Sequence, residues 1–520
     1  MRNIHPLLRK KKVGLLLPLF SMRSVRDWGA GDFTSMRGWL DVLHSCGLGI
    51  LQVLPMNEMP PGVNCPYTAL SAFAIDPVYL DPAALPELAE APEAAAFMAS
   101  REFKSRLARL HAARTVLYDD LRALKHETLW KIYLAFHRNH VEAGTPEGRA
   151  FGAFCAGNAY WLDDYALFRR LKDLHRWISW THWPEELSSR KPEALAAAAR
   201  EHALQLGFFK YMQWAVQRQW DQVRSRAAEL DISLFGDLPF MVNQESADIW
   251  ARQEEFDIGL SIGAPPDTWT PEGQKWGLPA YKWDVAEAAG FEWWKLKLRR
   301  AEALYDIYRI DHMVGFFRTW IVPEDKRLKP HFDIEGDEAQ EDRGRRFLKA
   351  LTSASGMLAV GEDLGLIPPY VGKVLAEAGV PGYKVLRWEK SGKVYADPAD
   401  FPPVSLATTS THDTEQLAGW WRSAGPAERR LFWKMVSGRD EKPPAFREAL
   451  DPILVKMIKA GSRLVILPYQ DLFGLKDRIN TPNTVGPHNW SFRPDAPLEQ
   501  FQEKHGDRLR RLAGWVREAA

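Results

Sequence analysis

Three charged or titratable groups, Arg309, Asp311 and His312, interrupt the otherwise apolar stretch YRIDHMVGF, residues 308 to 316. Side chains alternate along an extended strand, so Arg309 and Asp311 fall on one face. A cation beside a carboxylate favours the ionised form. That serves either a structural ion pair or a nucleophile. Further acids close other apolar runs: Asp237 in FGDLPF, Glu362 in VGEDLG, and Asp413, after His412, in STHDT. Two carboxyl groups facing one bond are what retaining glycoside chemistry requires. One attacks the anomeric carbon while the other protonates the leaving oxygen, at a separation of roughly 5 Å. Asp311 beside Arg309 fits the ionised partner. Glu362 follows an apolar stretch and precedes Asp363, which fits the partner that must stay protonated. Asp413 fits a third carboxylate that holds sugar hydroxyls and favours ring distortion. Asp311, His312, Glu362, His412 and Asp413 also offer hard ligands for a metal. The expectation is nevertheless that no metal or cofactor takes part. A GxxxxGKS-type phosphate loop is absent, so nucleotide use has no support.

Something must bring these residues together. Eight short apolar runs appear in order, at 13–19, 49–56, 232–240, 306–313, 357–365, 383–389, 404–413 and 462–474. They are rich in Val, Ile, Leu and aromatics, and helical patterns lie between many of them. That alternation predicts an α/β fold, a (β/α)8 TIM barrel with its active site at the carboxyl ends of the strands. The gap between the second and third runs exceeds one crossover helix. Leu107, Leu110, Leu117, Leu121 and Leu124 recur there with helical spacing. The division expected is barrel over 1–83, a large mainly helical insertion over 84–205, and barrel again over 206–520, with substrate-cleft loops including 241–290. The aromatics and acids of NAYWLDDYALFRRLKD either line a cleft or pack the insertion onto the barrel. About 45 residues follow the eighth run, so no C-terminal β-domain is expected. LLRKKKVGLLLPLF has the basic-then-apolar order of a signal peptide, but no small-residue cleavage site follows. It is read as the first buried strand.

Bulk composition narrows the partners. The 520 residues carry a net charge of +1, which offers no phosphate-tracking surface, so nucleic acid is not an expected partner. No run is long and apolar enough for a membrane span. Cys46, Cys65 and Cys155 form no CxxC pair, which suits a reducing cytoplasm. The chain holds 22 tryptophans and 14 tyrosines. Several sit beside Gly and Pro in apparent loops, as in DTWTPEGQKWGLPAYKW. Flat rings with a polar edge at a wet cleft suit a pyranose.

Taken in order, several stretches are similar to one known family. They are QVLPMNEMPPGVNCPYTALSAFAIDPVYLD, FFKYMQWAVQRQWDQV, FGDLPFMVNQESADIW, GAPPDTWTPEGQKWGLPAYKWD, RIDHMVGFFRTW, VGEDLGLIPPYV, STHDT and QDLFGLKDRINTPNTVGPHNW. The chain resembles the 4-α-glucanotransferases known as amylomaltase or disproportionating enzyme, glycoside hydrolase family 77 of the α-amylase clan. The resemblance implies transfer of α-1,4-glucan segments between maltodextrins, with glucose as acceptor or product. It implies Asp311 as nucleophile, Glu362 as general acid/base and Asp413 as transition-state stabiliser. Arg309, His312 and His412 would surround the same sugar. Tyr67 and Asp237 match further positions of the sugar pocket, and Gln274 and Trp276 match a loop over the acceptor sites. Thr268, Trp269, Leu278 and the THDTEQ form of the seventh run depart from the usual pattern. These departures bear on chain-length preference more than on the chemistry. An α-glucan hydrolase and a catalytically silent glucan-binding protein are the alternatives.

Overall fold

A computed structural model describes residues 4–266 and 270–519; the Thr268 and Trp269 departure lies outside them. Each of the eight apolar runs overlaps a strand, and the strands are β1 Lys12–Leu16, β2 Ile50–Gln52, β3 Ser233–Leu238, β4 Ile307–Ile310, β5 Leu358–Gly361, β6 Gly382–Val385, β7 Ser405–Thr408 and β8 Leu464–Pro468. They pair in parallel, each beside its neighbour in sequence, and β1 closes on β8 with Lys12 opposite Leu464. The result is a closed (β/α)8 barrel. Both faces of such strands are covered, which is why the runs are continuously apolar rather than alternating. The basic-then-apolar amino-terminal stretch supplies β1, seated between β2 and β8.

The strands are shorter than the runs, and they fall short mainly at the carboxyl end. That end matters. β4 stops at Ile310, one residue before Asp311, and β5 stops at Gly361, one residue before Glu362. His412 and Asp413 lie four and five residues past the end of β7. Polar side chains at the barrel mouth leave the ladder because their loops turn to aim them.

Between β2 and β3 the chain forms a set of helices, including Arg101–Ala112, Tyr118–Phe136, Ala159–Leu174 and Ala203–Glu229. The last of these runs straight through position 205, so a helix carries the chain back to the barrel. The leucines with helical spacing fall in and beside two helices, with a break between Ala112 and Tyr118. Arg493 donates to the carbonyls of Leu110, at 3.0 Å, and Ala113, at 2.8 Å, and so satisfies the end of the first helix. The aromatics of Ala159–Leu174 pack the insertion onto the barrel side: Trp161 stacks on Phe73 with centroids 6.0 Å apart, and Tyr165 hydrogen-bonds Glu58.

A four-stranded antiparallel sheet stands over the mouth. Its order is Gln274–Tyr281, Phe256–Ala264, Trp320–Pro323 and His331–Phe332. The loops after β3 and β4 supply it. Among the described residues, no helix is long and apolar enough to cross a membrane.

Candidate active site

The centre is built around one guanidinium. Arg309 on β4 lies opposite Asp237 on β3 in the parallel register. Its Nη1 reaches both Asp237 oxygens, at 2.9 and 2.8 Å. The same nitrogen lies 2.8 Å from Asp311 Oδ1, so the alternation predicted for these two residues continues past the strand end. Nη2 lies 3.7 Å from Glu362 Oε2. One buried cation therefore touches three carboxyl groups from three consecutive strands.

His312 then breaks the extended path, with φ 47° and ψ 53°. That left-handed conformation is strained for a residue with a Cβ. It turns the His312 N–H toward Glu362, which accepts it on Oε2 at 2.8 Å. The turn continues with Met313 N–H on the Glu362 carbonyl at 3.1 Å. Glu362 is thus held through Oε2, which also faces Arg309. Burial pushes the Glu362 carboxyl up to about 8, against the pull of Arg309 and with further pressure from the negative Asp311. For Asp413, burial alone would raise the value. The charge and hydrogen bond of His412, the Asn480 amide and Arg309 outweigh it, and the group sits at about 2. Two carboxyl groups facing one cleft are thereby driven in opposite directions.

The remaining predicted positions gather around these three. Tyr67 donates to Asp237 Oδ2 at 2.7 Å and lies 3.1 Å from His412 Nε2. Its ring stacks on His412 with centroids 5.6 Å apart. His412 Nε2 is 3.0 Å from Asp413 Oδ2. Burial pushes the Asp237 carboxyl up, while Arg309 draws it down. The His312 ring is wedged edge-on between Trp276, 4.7 Å away, and Phe240, 5.4 Å away. Burial pushes its imidazole down to about 4 although Asp311 pulls the other way. Trp276 therefore stands at the centre. Gln274 stands one step back and accepts Trp276 Nε1 at 3.0 Å.

Three residues with no role assigned from sequence complete the site. Asn480 Nδ2 donates to Asp413 Oδ1 at 2.6 Å, and Arg478 donates to the Asp413 carbonyl at 2.8 Å. Trp490 closes an aromatic group with Tyr67 and His412, at 5.5 and 5.7 Å. All three come from the loop after β8, within the last stretch used for the resemblance. Its motif was visible, but nothing in the residue types indicated which carboxylate it would meet.

A family model described as 4-alpha-glucanotransferase, glycoside hydrolase 77, matches residues 17–497. The 4-alpha-glucanotransferase of Thermus thermophilus is 32% identical over 497 residues, covering 92% of this chain and 93% of the relative. That of Chlamydia pneumoniae is 30% identical over 503 residues, covering 94% and 92%. The amylomaltase of Streptococcus agalactiae, solved in complex with acarbose, shares the fold with a TM-score of 0.82 at 22% identity, covering 98% of this chain and 99% of that one. Sequence match and barrel agree, and the chain belongs to the 4-alpha-glucanotransferases of glycoside hydrolase family 77.

Proposed function

We propose that Asp311, Glu362 and Asp413 carry out glucan transfer by retaining double displacement. The observation that carries this reading is the shared guanidinium. Arg309 binds Asp311 directly and lies near Glu362, whose carboxyl is pushed up to about 8 while Asp413 is held at about 2.

The Asp311 carboxylate attacks the anomeric carbon of a bound α-1,4-glucan. The glycosidic C–O bond breaks, and Glu362 passes its proton from Oε1 to the departing 4-oxygen. A glycosyl ester on Asp311 remains. Glu362, now a carboxylate, takes the proton from the 4-hydroxyl of an acceptor glucan, and that oxygen displaces Asp311. Two inversions give net retention. Asp413, kept ionised by His412 and Asn480, accepts sugar hydroxyls and favours the distorted ring. Tyr67, Asp237, His312 and His412 line the same sugar, and Trp276 with Gln274 forms the acceptor rim. Transfer must outrun water, so a glucan-filled cleft is expected. The substrates are maltodextrins, with glucose as acceptor or product. Cys46, Cys65 and Cys155 stand as free thiols, which supports a reducing, cytoplasmic setting.

Incubation with maltotriose tests the reading. A ladder of longer maltodextrins plus glucose, at constant total reducing ends, is expected. Rising reducing ends would assign hydrolysis instead, and an unchanged maltotriose pool would leave only a binding protein.

A further inference from the structure

One charged group beneath the site is unused by that mechanism. Lys297, on the helix Glu292–Glu302, is 2% exposed. Its ammonium lies over two indoles, 3.6 Å from the Trp294 centroid and 4.5 Å from that of Trp293. It donates to the Pro239 carbonyl at 2.8 Å. Burying an ammonium is costly. Burial pulls this one down to about 7, although Asp248, Asp311 and Asp237 all draw it back up. A neutral donor would satisfy a lone buried carbonyl with less desolvation, so the charge calls for a further reason.

The peptide group supplies it. The Pro239 carbonyl and the Phe240 N–H belong to one planar unit. Lys297 holds the carbonyl end. At the other end, Phe240 N–H donates to Asp311 Oδ2 at 3.3 Å. Arg309 holds Oδ1 at 2.8 Å, so both carboxylate oxygens are engaged. The next carbonyl, that of Phe240, accepts the Tyr281 hydroxyl at 2.5 Å. The strand end is therefore pinned on both sides of the N–H that meets Asp311.

We propose that Lys297 is a positioning residue: by anchoring the Pro239–Phe240 peptide it orients the Asp311 carboxylate for attack. The inference rests on the reading of Asp311 as nucleophile. A charge-assisted hydrogen bond is about twice as strong as a neutral one. In its charged form Lys297 holds the peptide plane more firmly than a neutral donor, and displacing a nucleophile by about 1 Å can cost roughly a hundredfold in rate.

The test isolates the first half-reaction. In a Glu362→Gln background, α-maltotriosyl fluoride needs no acid: Asp311 forms the C–O bond, the C–F bond breaks and fluoride leaves. No base activates an acceptor, so the glycosyl-enzyme accumulates. Mass spectrometry of peptides locates the label, and its rate of appearance is compared for Lys297 and its Arg, Gln and Met replacements. The expected label is on Asp311. Lys297→Arg should keep the maximal rate within about threefold, Lys297→Gln should be slower, and Lys297→Met should lose about tenfold or more, with half-saturation unchanged. Equal maximal rates across the series, or a change confined to half-saturation, would overturn the inference. If Lys297→Met does not fold, the Lys, Arg and Gln series decides, and a Gln variant as fast as Lys overturns it. A label on another residue would remove the premise, an outcome distinct from an Asp311 label formed at an unchanged rate.

Discussion

On the mechanism proposed, Glu362 must give a proton and later take one. Giving it needs a neutral carboxyl at working pH, which burial favours. The transfer rate should therefore fall as pH rises through about 8, the value to which burial raises Glu362. Glu362→Gln should lower the transfer rate by about 10²–10⁴. The same shift acts on stability. A carboxyl raised from 4.5 to about 8 stays protonated in the folded chain while the unfolded chain ionises. Its contribution is whole below pH 4.5 and is lost by about pH 8. Glu362→Gln cannot ionise, so it should melt higher than the parent at pH 8.5 by calorimetry and show a smaller drop between pH 5 and that point. The opposite sign belongs to Asp413, whose value of about 2 depends partly on the Asn480 amide at 2.6 Å. Asn480→Ala removes a hydrogen bond to a charged group worth about 1.5–3 kcal/mol, roughly tenfold to a hundredfold in kcat. It should also move the acid limb of the pH profile upward. Asp311, Glu362 and Asp413, the acids proposed for the chemistry, are legible because a barrel site is built at the carboxyl ends of its strands, and eight apolar runs mark those ends. Asn480, Trp490 and Lys297 are not, because an amide, an indole or a lysine in a loop or helix carries no sign of which distant strand end it supports.

At the scale of the element, the turn after β4 does most to shape the site. His312 adopts φ 47°, and Gly315 leaves room for its ring: a Cβ there would meet His312 Cδ2 at 2.7 Å and the Phe240 ring at 2.8 Å. Gly315→Ala must therefore shift the His312 ring or the Phe240 ring packed on it, disturbing the aromatic contacts that hold the turn. The expected outcome is a kcat reduced about tenfold or more for a modest loss in melting temperature, since overpacking one site costs about 1–3 kcal/mol. Maltotriose turnover beside a thermal melt checks it; parent-like kcat would separate the turn from the chemistry. Apolar runs locate all eight strands, but the runs continue into the loops at the mouth, where residues such as Asp311, Glu362 and His412 have already left the ladder. The leucine spacing from 107 to 124 does not mark the break near Ala113, whose carbonyl is met by Arg493, 380 residues along the chain.

The whole molecule is a barrel to which a helical insertion is fastened by buried charge as well as by apolar packing. Glu58, in the loop after β2, pairs with Arg169 of the helix Ala159–Leu174 at 2.9 Å, with side chains 3% and 8% exposed. Tyr165 donates to the same carboxylate. The guanidinium lies over Trp177 at 4.8 Å and over Phe209, on the helix Ala203–Glu229, at 5.0 Å. A second pair, half-buried Arg122 with buried Asp76 at 3.0 Å, ties the helix Tyr118–Phe136 to the segment that follows β2. Such pairs add little net stability compared with well-packed apolar residues, but breaking one strands a charge. Arg169→Met leaves Glu58 buried without its cation and should cost about 3–5 kcal/mol. The double variant Arg169→Met, Glu58→Gln removes the charge that would be stranded, so it should recover part of that loss. The two effects are then non-additive, as expected for residues in direct contact. Denaturant midpoints of the parent, both single variants and the double variant close the cycle. A double variant whose loss equals or exceeds the sum of the two single losses would show that the pair does not fasten the insertion. Because Glu58 and Arg169 lie outside the catalytic centre, maltotriose transfer by the folded double variant should stay near the parent rate.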